Sequence, residues 1–97
     1  MLQQLVAKTP ADPFPRYGLA MELKKLGRGQ EASVAFAELL EHHPSYVAAY
    51  LMYGNLLREL GELEQARAIY DRGAEAALAA GNDHAHGELV SARAELP

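Results

Sequence analysis

The 97-residue chain has no cysteine, and that one absence excludes disulfide bonds, thiolate-ligated zinc and a cysteine nucleophile together. Stability must come from packing. No stretch is apolar for long enough to cross a membrane, and the opening Met1-Leu2-Gln3-Gln4-Leu5-Val6-Ala7-Lys8 has neither a basic leader nor a secretory apolar core. The expectation is a soluble cytoplasmic protein with no membrane partner. A clustered basic tract is missing as well. Up to Gly29 there are five basic and two acidic residues, and beyond it four basic and eleven acidic, within a net charge of -4. Nonspecific nucleic-acid binding needs several phosphates neutralised at once, so nucleic acid is set aside as a partner. Ser33, Ser45 and Ser91 lack the elbow motif of a serine nucleophile, and there is no glycine-rich phosphate loop.

What is present suits a small folded domain. Apolar residues make up 49% of the chain and charged residues 23%, a balance that belongs to globular proteins and not to disordered tails. At this length one domain with little room for a deep catalytic cleft is expected. The strongest signal is an internal period of 34 residues. Leu26-Gly27 returns as Leu60-Gly61, Phe36 as Tyr70, Ala20 as Gly54, Leu23 as Leu57 and Ala32 as Ala66. The same offset joins Pro10 to Pro44, Leu5 to Leu39 and Val6 to Leu40, so the first residues resemble the tail of an earlier unit.

Each unit reads as two helices. Asp12 is a good N-cap, with Pro13 at the first helical position and Pro15 still in the first turn, where a missing amide hydrogen costs no helical bond. The first helix runs to about Leu26, burying Leu19, Ala20, Leu23 and Leu26; Gly27 ends it and Gly29 helps the chain reverse. A second helix from Gln30 buries Ala32, Ala35, Phe36, Leu39 and Leu40, and Pro44 stops it near His42 or His43. Ser45 is the expected cap of the next helix, which turns Tyr50, Tyr53, Gly54, Leu57 and Leu60 inward. The fourth starts near Glu62 and extends to about Ala80, with Gly73 inside it as a tolerated weak point. After Gly81-Asn82-Asp83 a last helix to about Glu95 carries a thin apolar stripe of Ala85, Leu89, Ala92 and Leu96.

These residues resemble the tetratricopeptide repeat, a helix-turn-helix unit of about 34 residues. Counted from Pro13, Leu19, Ala20, Leu23, Gly27, Ala32, Phe36 and Pro44 fall at matching places; counted from Val47, Tyr50, Tyr53, Gly54, Leu57, Gly61, Ala66 and Tyr70 do so. Arg16, Gly29 and Leu78 depart from the pattern, standing where a large aromatic, a tyrosine and a second proline are usual. The resemblance implies an all-α fold, a right-handed helix-turn-helix superhelix forming a single domain over 1–97. Its parts are an N-terminal half-unit helix over 1–12, repeats over 13–46 and 47–80, and a C-terminal capping helix over 81–97. Such stacks normally need about three units, so the terminal segments are expected to cover the open ends.

The resemblance also implies a protein-protein interaction module with no enzymatic activity and no cofactor, binding a segment of a partner protein on a concave face lined by the first helix of each unit. By register that face displays Phe14, Tyr17, Met21, Lys24 and Lys25 from the first unit, Leu51, Asn55 and Arg58 from the second, and Leu89 and Arg93 from the cap. Apolar side chains of the partner would meet Phe14, Tyr17, Met21 and Leu51, and acidic groups the four cations. The competing reading of the same residues is core for the aromatics and a solvated face for the lysines. A homodimer that fills the groove with a second copy is the alternative. The clamp with which some family members hold acidic chaperone tails is missing, since it wants lysine and asparagine at Tyr17 and Met21, asparagine at Met52, and lysine and arginine at Asn82 and His86.

Histidine is the one residue type that invites a metal or an enzymatic reading. His42 and His43 are adjacent and point about 100° apart on a helix, and their place at a helix C-terminus suits its dipole. His84 and His86 also face apart, so neither pair has the spacing of helical ligands four residues apart. No metal is expected.

Overall fold

The computed structural model describes residues 12–97, so the half-unit helix expected over 1–12 lies outside the described residues except for Asp12. Among the described residues there are five helices and no strand. The chain divides into two compact units, Met1–Pro44 and Ser45–Pro97.

The first unit holds α1, Pro13–Lys25, and α2, Gly29–His42. Asp12 caps α1 as its sequence position requires: its Oδ1 accepts the Phe14 N–H at 3.0 Å. The helix ends in a Schellman turn at Gly27, whose φ of 76° lies in the left-handed region. Gly27 N–H reaches Lys24 O at 3.1 Å and Arg28 N–H reaches Leu23 O at 2.9 Å, which satisfies two carbonyls the helix leaves open. Gly29 is already the first residue of α2 and takes no part in the reversal. Arg28 stands at the N-cap of α2 and its guanidinium grips Glu31 at 2.8 and 2.5 Å. That hydrogen bond holds the Glu31 carboxyl below its usual range, in a first turn where negative charge suits the helix dipole.

Ala20, Ala32, Phe36 and Leu39 are fully buried, and the Tyr17 ring meets Phe36 edge-on at 6.5 Å between centroids, the geometry aromatic quadrupoles favour. Leu26 departs from its expected burial. It is the C-cap of α1, leads into the Gly27 turn and is 62% exposed.

The second unit holds α3, Val47–Glu59, α4, Leu63–Ala79, and α5, Asp83–Ala94. Ser45 does not cap α3. Pro44 and Ser45 form a turn, and Tyr46 takes the N-cap position without a capping side-chain bond. The Schellman turn recurs after α3 at Gly61, φ 80°, with Glu62 N–H on Leu57 O at 2.9 Å. After α4 it recurs at Gly81, and the Asn82 side chain then accepts the Ala85 N–H at 3.0 Å to start α5. Here α4 packs along both α3 and α5, and α3 meets α5 over a shorter stretch.

Two glycines make that packing possible. A Cβ on Gly54 would lie 2.5 Å from Cδ1 and 2.9 Å from Cζ of Tyr70, and one on Gly73 would lie 2.5 Å from Cβ of Tyr50 and 2.9 Å from Cδ2 of Leu89. Gly73 is thus a point of close helix contact, which corrects its reading as a tolerated weak point. Among the described residues no helix is long and apolar enough to cross a membrane.

Candidate functional site

The second unit carries an open groove of about 700 Å³ between α3 and α5, a size typical of ligand clefts. Leu51, Asn55 and Arg58, at steps of four and three residues along α3, form one wall, as their shared helical face requires. The facing wall is a stripe of α5. It presents Asp83 at the helix start, Gly87, Glu88, Ser91 and Ala92 along the middle, and Glu95 at the far end.

Asn55 is fixed from behind. The Tyr70 hydroxyl donates to its Oδ1 at 2.6 Å, and the Tyr70 ring is fully buried. With Oδ1 engaged, the amide hydrogens of Asn55 are the groups left to face a ligand. Burial pushes the Tyr70 hydroxyl above the usual tyrosine range, while nearby Arg58 lowers it and Glu95 and Glu59 raise it. A group whose folded pKa is raised contributes stability in full below its unfolded value, about pH 10, and loses that contribution as the pH rises through the folded one. An absorbance titration of the intact protein should therefore contain a tyrosinate component above the ordinary range that disappears in Tyr70→Phe; a titration identical in the two proteins would contradict it.

Arg58 lies 3.8 Å from Glu95, so its charge is already answered within the groove. Nε2 of His84 stands 3.6 Å from Glu88 and makes an ion pair only when protonated. His86 is half-buried. Among the described residues no group of three histidine, aspartate or glutamate side chains is placed to hold a metal ion.

Of the residues expected on a binding face, the groove brings together Leu51, Asn55 and Arg58. Two others are corrected. Leu89 is 1% exposed and sits against Gly73 and α4, so it belongs to the core. Arg93, four residues on and hence on the same helical face, turns with it toward α4 and bonds Asp71 at 3.1 Å; it does not line the groove. Phe14, Tyr17, Met21, Lys24 and Lys25 all lie on α1 of the first unit. Phe14 is 70% exposed, Lys25 is exposed, and Tyr17, Met21 and Lys24 are half-buried.

Sequence reasoning missed the α5 wall, because it treated that helix as a cover with one useful face. The signal was available. Asp83, Gly87, Ser91 and Glu95 recur at four-residue steps away from the apolar stripe, with Glu88 beside Gly87.

The chain matches the tetratricopeptide repeat family over residues 23–96. The fold is similar to a tetratricopeptide repeat domain protein from Salinibacter ruber solved in solution, with a TM-score of 0.83 and 36% identity over 89% of this chain and 87% of that one. A crystal structure of a tetratricopeptide repeat domain protein of the same organism gives a TM-score of 0.80 and 36% identity over 87% and 93% of the two chains. The TPR2B domain of yeast Sti1, solved as a complex with pHsp70, shares the fold at a TM-score of 0.74 and 19% identity, over 95% of this chain and 79% of that one. No curated protein sequence matches the chain. With three quarters of its length in the match, an all-α architecture and 36% identity to a solved repeat domain, the chain belongs to the tetratricopeptide repeat family.

Proposed function

We propose that this protein is a non-enzymatic interaction module that takes a segment of a partner protein along the first helices of its repeats, the groove between α3 and α5 being the second unit's share of that surface. The observation that carries the reading is the groove itself. It is open, of peptide-binding size, has an apolar foothold at Leu51 and a pre-oriented amide at Asn55, and a segment laid in it would bury these groups without rearranging the helices. Membership of a family of interaction modules supports the same reading. The Sti1 domain, at 19% identity, lends only its fold, and the chaperone clamp residues are missing from this chain.

In the first unit the same proposal assigns contacts to Phe14, Tyr17, Met21, Lys24 and Lys25, with repeat boundaries at 46/47 and 80/81. The test is a binding partner captured by the intact chain and mapped by a photoreactive group at position 51. Leu51→Glu, and separately Tyr17→Ala combined with Lys24→Glu, should each reduce capture about tenfold or more at unchanged helicity, the loss typical of removing a buried anchor. Capture that survives both variants would overturn the proposal, and so would a concentration-independent homodimer whose cross-links at position 51 run only to a second copy.

A further inference from the structure

The groove between α3 and α5 is acidic, against the expectation that Arg58 and Arg93 meet acidic groups on this unit. Among its lining residues Asp83, Glu88 and Glu95 are carboxylates and Arg58 is the one arginine or lysine. Arg58 and Glu95 answer each other at 3.8 Å. Asp83 stands at the α5 start, and beside Glu88 is His84, whose side chain is 87% exposed and carries charge only when protonated. Arg93, the other cation expected here, is engaged with Asp71 on the α4 side.

From this we infer that the groove selects a cationic partner, a lysine- or arginine-bearing segment in extended conformation. The inference rests on the proposed function and narrows it. Cationic side chains of the segment would meet the carboxylates of Asp83 and Glu88 at separate points along the α5 wall, opposite the apolar surface of Leu51. The amide of Asn55, held by Tyr70, would donate to a backbone carbonyl of the segment. Gly87 and Ser91 keep the α5 wall low enough for the backbone to lie against it; a Cβ on Gly87 would meet nothing within 4 Å. An acidic segment would face the Asp83 and Glu88 carboxylates and would compete with Glu95 for Arg58. Electrostatic complementarity of this kind decides between partners more than it sets affinity.

The test uses the full chain and three synthetic peptides of one length and one leucine-containing sequence, carrying lysine, glutamine or glutamate at the same alternate positions. Heteronuclear NMR locates the binding and fluorescence anisotropy ranks it at an ionic strength of about 20 mM, where screening is weak. Affinity should fall in the order lysine, glutamine, glutamate, with shifts at Leu51, Asn55, Gly87 and Ser91. The double variant Asp83→Asn, Glu88→Gln should weaken the lysine peptide about fivefold, as expected for two exposed charge pairs, and leave the glutamine peptide unchanged.

A glutamate peptide that binds the groove as well as the lysine peptide, or a lysine peptide indifferent to the double variant, would overturn the charge selection while leaving the groove as a peptide site. Failure of all three peptides to move the groove resonances would overturn both.

Discussion

Gly73→Ala should cost this protein about 2 kcal/mol or more, although alanine is the better helix former. Intrinsic propensity favours the change by about 1 kcal/mol in a helix interior, and Gly73 sits in the middle of the 17-residue α4. The added methyl, however, would lie 2.5 Å from Cβ of Tyr50 and 2.9 Å from Cδ2 of Leu89. The leucine tip can rotate away. The tyrosine Cβ cannot, because it moves only with the backbone of α3, and forcing extra volume into such a contact typically costs about 1–3 kcal/mol and occasionally more.

Gly87→Ala is the internal control. Gly87 also lies within a helix, its φ is not positive, and a Cβ there would meet nothing within 4 Å. That variant should gain about 0.5–1 kcal/mol. In thermal unfolding the two should move in opposite directions, Gly73→Ala down by roughly 10 °C and Gly87→Ala up by a few degrees. Equal shifts would mean that α4 does not approach α3 and α5 as closely as described.

The contrast between these two glycines also marks what the sequence could reveal. Local chemistry was legible where it repeats: Gly27 and Gly61, 34 residues apart, make the same turn, and Ala32, Ala66, Phe36 and Tyr70 are fully buried as the period requires. A proline two residues past α2 marks its end within a residue. A glycine inside a helix carries no such message, since its meaning depends on what a neighbouring helix brings against it. Gly73 and Gly87 look alike in sequence and differ only in tertiary surroundings.

Leu89 was ambiguous for a related reason. α5 is short and its apolar stripe otherwise holds only Ala85, Ala92 and the trailing Leu96, so register alone did not say whether its one large residue faced a groove or a neighbour. Burial decided it. A leucine gains about 2 kcal/mol from leaving water, α4 offers the notch at Gly73 to receive it, and Arg93 follows because it lies one turn further along the same face. The acidic wall across from Leu51 then results from turning the apolar stripe inward.

Gly54→Ala should be the other severely destabilising small substitution, and its cost should depend on a single partner. The new methyl would fall against the ring of Tyr70, 2.5 Å from Cδ1. That ring is fully buried and its hydroxyl is bonded to Asn55, so it cannot swing aside without breaking the bond and opening a void. A loss of about 3 kcal/mol is expected in the native background. Tyr70→Ala alone should cost about 3–5 kcal/mol, the usual range for emptying a buried aromatic site. In the Tyr70→Ala protein the methyl at position 54 meets no ring and partly fills the void, so there Gly54→Ala should cost nothing or restore some stability.

The cycle measured by chemical denaturation should thus show a coupling of about 3 kcal/mol, at the upper end of what contacting residues give. Additive losses would mean that the strain at Gly54 arises elsewhere. The equivalent position in the first unit is Ala20, which is fully buried with its methyl in place beside a helix carrying Phe36. The two units therefore accept different side chains at one repeat position, and in the second the aromatic also holds a groove residue by a hydrogen bond. Tyr70→Phe isolates that support: it keeps the ring, should cost only about 1 kcal/mol for the lost hydrogen bond, and should weaken peptide binding by releasing Asn55. An unchanged peptide affinity in Tyr70→Phe would show that Asn55 needs no support from behind, and would remove the amide from the binding site.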